Sequence, residues 1–137
     1  MTLIIDSSFL VALYDVGEVR HRRAYHFAER NSETMLVPDI VLPEVNFLLR
    51  RNLGYTNSLN FFDFFESRFV RLLPILVGDL ARVYEISQQY ADARLDLVDC
   101  CIMAIAERLD IGRIATFDRR DFGMFKPNHC DYLELLP

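Results

Sequence analysis

Four acidic residues, spread over most of the chain, are of the type that binds a divalent cation. They are Asp6, Glu44, Asp99 and Asp118, and Asp96 lies one helical turn before Asp99. Oxygen ligands favour Mg²⁺ or Mn²⁺ over zinc or copper, and neither the histidines nor the cysteines have metal-ligand spacing. A cation held by carboxylates polarises a phosphate group and positions an attacking water. These residues therefore predict metal-dependent chemistry at a phosphate.

The predicted secondary structure brings the four acids towards one place. Asp6 ends a short apolar run and Asp118 follows another, so both lie at the carboxyl ends of predicted strands. Glu44 and Asp99 lie in the first turns of predicted helices. Open α/β sheets bind ligands beyond the carboxyl ends of the strands, where the strand order reverses. Four carboxylates at that point repel one another unless a cation neutralises them, which again indicates a metal site.

Strands and helices alternate along the chain. The predicted strands are residues 2–6, 34–37, 69–73, 113–117 and, at the edge of the sheet, 130–136. The predicted helices run from Ser7 or Ser8 to Gly17 and then over residues 20–31, 39–53 (regular from Pro43), 56–67, 78–92 and 96–109. This alternation predicts one α/β domain over residues 1–137, a three-layer sandwich. Its mostly parallel central sheet has four to five strands and is flanked by helices.

Each acid also has an interpretation that needs no metal. Asp6 suits an Asx turn, Glu44 suits the first turn of a helix, and Asp118 suits a turn before two arginines. Asp96 is better explained as the N-cap of its helix. Asp99 is the least well explained in this way, because its side of the helix also carries apolar residues. The evidence for a site is that all four acids fall at matching ends of a repeated βα pattern.

The composition limits the classes of protein to consider. Of 137 residues, 52% are hydrophobic, and 15 basic against 20 acidic residues give a net charge of −5. A generic nucleic-acid coat protein would be basic, whereas an acidic pocket with a basic rim fits this balance. We expect no membrane span and no signal peptide. Because the three cysteines lack disulfide or zinc spacing, we expect a reduced, cytoplasmic protein.

Four segments together resemble the PIN-domain family. They are Ile5–Leu13, Leu42–Val45, Asp96–Glu107 and Ile114–Phe122. Each segment is weak evidence alone, but their order, their spacing and the size of the chain agree with the family along essentially the whole length. A stand-alone PIN domain of this size is similar to the VapC-type toxins of bacterial toxin–antitoxin pairs.

The resemblance implies a metal-dependent endoribonuclease that leaves a 3′-hydroxyl and a 5′-phosphate. Asp6, Glu44 and Asp99 match the three central acids of the family, and Asp118 matches the more variable fourth. We expect Asp6 and Asp99 to bind Mg²⁺ or Mn²⁺ directly, with Asp118 orienting a water or helping to hold a second ion. Glu44 either coordinates the metal or accepts a proton from the attacking water.

Supporting residues and partners are implied by the same resemblance. Ser8 matches a hydroxyl near the first acid, and Thr116 matches a polar position beside the fourth. Asp96 is an acid that the family pattern lacks, and of the pair we favour Asp99 as the metal ligand. The family also implies a homodimer and a cognate antitoxin, which wraps the toxin and places a basic side chain in the acidic pocket.

Basic residues near the predicted pocket are candidates for RNA binding. Arg119 and Arg120 directly follow the fourth acid, and Arg22 and Arg23 belong to a second basic cluster at residues 20–23. Arginine contacts to phosphates supply most of the non-specific affinity for nucleic acids. The second cluster is equally well explained as a solvent-exposed helix face.

Other interpretations share parts of this pattern. A phosphatase of the haloacid type would carry a second acid two residues after Asp6, where Ser8 stands, and a phospho-acceptor receiver needs a lysine near a strand end, whereas the chain's only lysine is Lys126. A PIN-fold RNA-processing nuclease that is not a toxin, or a non-catalytic RNA-binding or scaffold domain, would have the same fold. Retention of four acids argues against the non-catalytic domain, because unpaired buried charges are costly. The aromatic segment 56–67 is best explained as core, and otherwise as a groove for a partner helix or a dimer seam.

Overall fold

All five strands join one sheet in which every neighbouring pair is parallel. The computed structural model describes residues 1–137. The strands are β1 (Thr2–Ile5), β2 (Thr34–Pro38), β3 (Val70–Leu73), β4 (Arg113–Ala115) and β5 (Glu134–Leu136). Their order across the sheet is β3-β2-β1-β4-β5. The prediction of a helix-flanked, parallel α/β sheet is therefore confirmed.

Helices connect the strands and cover both faces of the sheet. They are α1 (Ser7–Tyr14), α2 (His21–Arg30), α3 (Leu42–Leu53), α4 (Tyr55–Ser58), α5 (Val77–Gln89), α6 (Leu97–Leu109) and α7 (Arg119–Met124). Three short 3₁₀ segments occur at Asp39–Val41, Leu59–Glu66 and Ala91–Ala93. Because parallel crossovers are right-handed, α1–α4 lie on one face and α5–α7 on the other. The packing agrees, since α1 contacts α2 and α3 while α6 contacts α5 and α7.

The core lies along the central strands and α6. A single cluster contains 29 buried hydrophobic residues. Leu3, Ile4 and Ile5 of β1 are completely buried, as expected for a central strand covered on both faces. In α6, every residue from Asp99 to Ala106 is buried. The strand before Asp6 and the helix that carries Asp99 are thus held by close packing on all sides.

The strand order reverses between β1 and β4, and this position is the topological switch point of the sheet. Strands β2 and β3 extend the sheet on one side of β1, whereas β4 and β5 extend it on the other. The register pairs Ile5 with Ala115, so the next residues, Asp6 and Thr116, leave the sheet side by side. This is the place at which α/β sheets bind ligands.

Two predicted elements differ from the structure. The predicted helix 56–67 is wrong, because α4 ends at Ser58 and a 3₁₀ helix follows. In a 3₁₀ helix, residues three apart share one face, so Phe61 and Phe64 are both buried while Phe62 is exposed. The predicted strand 130–136 shortens to β5, because the neighbouring strand β4 offers only three residues for pairing.

One helix was missed and one start shifts slightly. The six-residue helix α7 was not predicted, since it is too short to show a periodic pattern. The regular helix predicted from Pro43 begins one residue earlier, at Leu42, after a 3₁₀ turn. No helix of the protein combines the length and the apolarity that crossing a membrane requires.

Candidate metal centre

Asp6 is held at the end of β1 by several hydrogen-bond donors. Oδ1 accepts the main-chain N–H of Ser7 at 2.8 Å, and Oδ2 accepts the hydroxyls of Ser8 at 2.8 Å and Thr116 at 2.7 Å. Only 2% of Asp6 is exposed. Burial raises the pKa of this carboxyl above its ordinary value, and the hydrogen bonds from Thr116, Ser8 and Ser7 oppose that rise. The carboxylate therefore has a fixed position and orientation.

The hydroxyls of Ser8 and Thr116 each connect Asp6 to the segment after β4. Ser8 Oγ accepts the N–H of Phe117 at 2.9 Å, and Thr116 Oγ1 accepts the N–H of Asp118 at 2.9 Å. Each hydroxyl donates its one proton to Asp6. The lone pairs of the hydroxyl oxygen can therefore accept a main-chain N–H. The two residues expected to support the site thus fix β1 and the β4–α7 connection relative to each other.

Glu44 reaches the same place from the first turn of α3. Its Oε2 accepts the hydroxyl of Ser7 at 2.9 Å, and the same hydroxyl lies 3.3 Å from Asp6 Oδ1. Burial raises the pKa of Glu44, and the negative charges of Asp96, Asp6 and Asp118 raise it further, against the hydrogen bond from Ser7. Glu44 is only half-buried, so it lies between the site and solvent.

Asp99 is the acid of this group that has a buried oxygen without a hydrogen-bond partner. It lies in the first turn of α6 and is 5% exposed, and its Oδ2 is buried without any hydrogen-bond partner. Burial raises its pKa to about 10, with contributions from the charge of Asp6 and from hydrogen bonding to Asp118 and Asp121. A buried carboxylate oxygen without a donor is costly, and a cation removes that cost.

Asp118 and Asp121 complete an acidic cluster with Asp99. One carboxylate oxygen from each of the three lies within 4.8 Å of the others. Asp118 also caps α7, because its Oδ1 accepts the N–H of Asp121 at 3.2 Å. Asp121 is 5% exposed and accepts a 2.6 Å hydrogen bond from Arg120. Its other oxygen lies 3.4 Å from the main-chain nitrogen of Asp96.

Asp96 caps α6, as its position in the sequence suggests. Its Oδ2 accepts the N–H of Val98 at 3.0 Å, and the residue is exposed. It nevertheless borders the acidic cleft and adds to its negative potential. Of the pair, Asp99 is the buried residue that points into the acidic cluster.

The acids enclose a cavity of about 140 Å³. Its lining residues are Asp6, Ser7, Ser8, Glu44, Leu48, Asp96, Asp99 and Asp118. Asp6 and Asp99 therefore line one shared cleft, although they are 93 positions apart in sequence. The donor set consists almost entirely of oxygens and includes the unpartnered Oδ2 of Asp99. These residues fit a hard divalent cation and do not fit a metal that prefers nitrogen or sulfur.

The predicted RNA-binding arginines differ in the contacts that they make within the protein, and none of them lines the acidic cavity. Arg23 and Arg119 both donate to the main-chain oxygen of Pro137, at 3.1 and 2.7 Å. Arg120 is paired with Asp121 and also donates to the oxygen of Ala93 at 2.9 Å, which leaves it less free to bind phosphate. Arg22 is exposed and makes no hydrogen bond or ion pair within the protein.

Sequence reasoning missed two polar residues of the site. Asp121 lies three residues after Asp118, a spacing typical of an N-cap and its partner at the start of a helix, and this signal points to α7. The sequence identifies Ser7 only as a possible first residue of a helix, whereas its hydroxyl contacts both Asp6 and Glu44. Nothing in the local sequence of Ser7 indicates contact with a residue 37 positions away.

The class of protein is defined by a parallel sheet with a group of acidic residues at the point between β1 and β4 where the strand order reverses. The family model for the PIN domain matches residues 3–125. The chain belongs to the PIN-domain family, and the resemblance seen in the sequence is confirmed.

Particular relatives are similar over nearly the full length. Ribonuclease VapC26 of Mycobacterium tuberculosis (strain ATCC 25618 / H37Rv) is 24% identical over 125 residues, which cover 91% of this chain and 93% of that protein. The crystal structure of Mycobacterium tuberculosis VapC20, described as a sarcin-ricin loop cleaving toxin, superposes with a TM-score of 0.84 at 20% identity, covering 98% and 99% of the two chains. VapBC2 from Rickettsia felis, solved bound to a DNA fragment from its promoter, gives a TM-score of 0.69 at 14% identity, covering 98% and 97%.

Proposed function

We propose that this protein is a metal-dependent endoribonuclease and the toxin of a toxin–antitoxin pair. The observation that carries the proposal is the shared cleft of Asp6, Glu44, Asp99 and Asp118 in a chain of the PIN-domain family. The names of the relatives support it, since VapC26 is called a ribonuclease and VapC20 a sarcin-ricin loop cleaving toxin. The products we expect carry a 3′-hydroxyl and a 5′-phosphate.

We assign the metal to Asp6, Asp99 and Asp118, with Mg²⁺ or Mn²⁺ as the ion. When bound, the ion supplies Lewis-acid polarisation of the phosphate and of the attacking water. Asp6 is already oriented by three donors. Asp99, which has one buried carboxylate oxygen without a hydrogen-bond partner, belongs to the acidic cluster. The protein thus holds its oxygens in place before any ion binds, which limits the reorganisation that binding requires.

Glu44 is our candidate for the proton acceptor. It is a half-buried acid of the cleft, and its pKa is raised by burial and by neighbouring acids. A general base works best with a pKa nearer to neutrality. The hydroxyl of Ser7 holds Oε2 at 2.9 Å and leaves Oε1 free to take a proton from water. Ser8 and Thr116 act through Asp6 as positioning residues.

The partners follow from the same proposal. Solved relatives include toxin–antitoxin complexes from Klebsiella pneumoniae, Rickettsia felis and Salmonella typhimurium. We propose an antitoxin that places a basic side chain in the acidic cleft, where the positive charge replaces that of the metal. A homodimer and a cytoplasmic location remain predictions, and the dimer is tested by light scattering of the purified protein.

The competing enzyme classes lack support at the site. Ser8 stands where a haloacid-type phosphatase carries its second acid, and its hydroxyl is hydrogen-bonded to Asp6. Lys126 is exposed and does not line the cavity, so the lysine that a receiver requires is missing there.

The direct test is cleavage of RNA by the purified protein with Mn²⁺ or Mg²⁺, in parallel with EDTA. We expect cleavage only with the metal, and products that a 5′-phosphate-dependent exonuclease degrades. Metal-independent cleavage, or none under either condition, contradicts the proposed enzyme. Growth arrest on expression, relieved by the gene next to it, tests the toxin role, and RNA cleavage without growth arrest indicates an RNA-processing nuclease instead.

A further inference from the structure

The ring of Phe117 connects the acidic cleft to the basic cluster on α2. Phe117 directly follows Thr116, and its main-chain N–H donates to Ser8 Oγ at 2.9 Å. The guanidinium carbons of Arg20 and Arg23 lie over the Phe117 ring, 4.9 and 5.5 Å from its centroid. Two planar cationic groups therefore lie on an aromatic ring that is fixed beside the acids.

The layer beneath this arrangement is rigid. The ring of Phe9, which is completely buried, is nearly parallel to that of Phe117, with centroids 6.3 Å apart and an interplanar angle of 13°. Phe27 of α2 packs edge-on against Phe9 at 5.7 Å. The start of α2 is also anchored, because a ring nitrogen of His21 lies 2.8 Å from the oxygen of Ala12. The arginine layer thus rests on the core and faces solvent.

Positive charge is concentrated around Phe117. Arg20 pairs with Glu18 at 3.1 Å. Arg23 and Arg119 have no Asp or Glu partner, and both donate to the oxygen of Pro137, the last residue of the sequence. Three arginines therefore gather at this place, in a chain whose overall charge is −5.

We propose that Phe117, Arg20 and Arg23 form a subsite for one unpaired nucleotide of the RNA, next to the phosphate that is cut. This inference rests on the endoribonuclease function proposed above. Guanidinium planes and aromatic rings stack nucleobases, and the outward N–H groups of arginine bind phosphate in a forked geometry. The acidic cleft repels the RNA backbone, so the cations that offset this repulsion must lie beside it.

The subsite distinguishes paired from unpaired nucleotides. A base inside a continuous duplex is already stacked on its neighbours and cannot use this surface. A base in a single strand or loop is free to stack, so the subsite adds affinity only for an unpaired nucleotide.

The test measures binding in the cleavage-deficient Asp6→Asn background, by fluorescence anisotropy of a short single-stranded RNA and of the same RNA annealed to its complement. Phe117→Leu removes the ring that holds the two guanidinium planes in place for stacking, so we expect single-strand binding to weaken about tenfold or more and duplex binding to change far less. Tyr55→Leu is the matched control, because Arg50 lies over the exposed Tyr55 ring at 4.5 Å and away from the cleft residues. The control should bind both RNAs as the parent does.

A second variant separates stacking from charge. Arg23→Lys keeps the positive charge and loses the plane, so we expect weaker single-strand binding with an unchanged dependence on salt. If Phe117→Leu melts far below the parent, Arg23→Lys and Arg20→Lys decide the question.

The subsite would be overturned if the folded variants bound the single-stranded RNA as tightly as the parent does. It would also be overturned if they lost equal affinity for the single-stranded RNA and the duplex. In that case wild-type protein that cleaves RNA with Mn²⁺ still supports the endoribonuclease, whereas absence of all cleavage contradicts the function itself.

Discussion

Thr116 donates a 2.7 Å hydrogen bond from Oγ1 to Oδ2 of Asp6, across 110 positions of sequence. Thr116 Oγ1 also accepts the N–H of Asp118 at 2.9 Å, so the hydroxyl of Thr116 positions both Asp6 and Asp118. The contact exists because the register of β1 and β4 pairs Ile5 with Ala115. The geometry of the proposed metal centre is therefore set by strand pairing in the sheet.

Thr116→Val tests this positioning role. Valine lacks the hydroxyl, so Asp6 loses one donor and the N–H of Asp118 loses its acceptor. We expect Mn²⁺ affinity, measured by calorimetric titration, to fall about 10- to 100-fold. The free energy of unfolding, measured with urea in EDTA, should fall by about 1–3 kcal/mol. Thr56→Val, at an exposed position of α4, is the control, and parental Mn²⁺ affinity in Thr116→Val would contradict the role.

Asp6→Asn tests the metal site itself. Asparagine keeps the size of the side chain but removes the charge, so we expect RNA cleavage to fall by orders of magnitude with the fold intact. Wild-type protein should melt at a higher temperature with Mn²⁺ than with EDTA, and this difference should disappear in the variant. Asp131→Asn, an exposed acid outside the cleft, should behave as wild type. Undiminished cleavage by purified Asp6→Asn protein would reject the assignment.

The stability of the metal-free protein should depend on pH through Asp99. The pKa of Asp99 is raised to about 10, against about 4 in an unfolded chain, so the folded state binds the proton more tightly. Stability in EDTA is then highest below the unfolded pKa and falls as pH rises from about 4 towards about 10.

Melting temperatures across this range check the prediction for Asp99. Asp99→Asn cannot ionise and should flatten the slope and stabilise the metal-free protein near neutral pH. An equal slope in wild type and Asp99→Asn would show that another group is responsible. Because a divalent cation displaces the proton, apparent Mn²⁺ affinity should rise with pH over the same range.

Asp121→Asn tests whether Asp121, a buried acid beside Asp99 and Asp118, contributes to metal binding. Its carboxylate lies within 4.8 Å of those of Asp99 and Asp118, so loss of its charge should weaken Mn²⁺ binding. We expect a smaller loss of affinity than in Asp99→Asn, because one oxygen of Asp121 is already held by Arg120. Titration calorimetry gives affinity and stoichiometry together. Unchanged binding would restrict Asp121 to its contacts with Arg120 and the start of α6.

The pair of Asp79 and Arg108 should stabilise the fold without affecting the site. Asp79 is 4% exposed and accepts hydrogen bonds from Arg108 Nε at 2.7 Å, Arg108 Nη2 at 3.1 Å and the N–H of Leu76 at 2.9 Å. Burial alone would raise the pKa of Asp79, but these hydrogen bonds and the charge of Arg108 outweigh it and lower the pKa. The contribution to stability is therefore present above the unfolded pKa, about 4, and is lost as pH falls through the lower folded value.

Asp79→Asn checks this stabilisation by urea unfolding at neutral pH. We expect the free energy of unfolding to fall by about 1–3 kcal/mol, since buried hydrogen bonds to a charged group are lost. Glu85→Gln breaks the exposed pair with Arg82 and should cost less than about 1 kcal/mol. A loss in Asp79→Asn no larger than that of Glu85→Gln would contradict the prediction.

Much of the fold was predictable because its signals are local. The apolar run before Asp6 and the periodic pattern of α6 identify their elements within a few residues of their ends. The segment 56–67 was not predictable in this way, because its aromatic residues suit both an α-helix and the observed 3₁₀ helix. Only packing of Phe61 and Phe64 into the core selects the tighter turn.

The sequence by itself determined the order of the elements, the parallel α/β class, the family resemblance and four acids at matching strand and helix ends. Only the tertiary structure decided that Asp121 joins Asp99 and Asp118, that Ser7 connects Asp6 to Glu44, and that Arg20 and Arg23 lie over the ring of Phe117. Element order follows from hydrophobic periodicity, which a short window of sequence contains. Contacts between distant side chains depend on strand register and on how the helices pack across the sheet, and no local pattern encodes these.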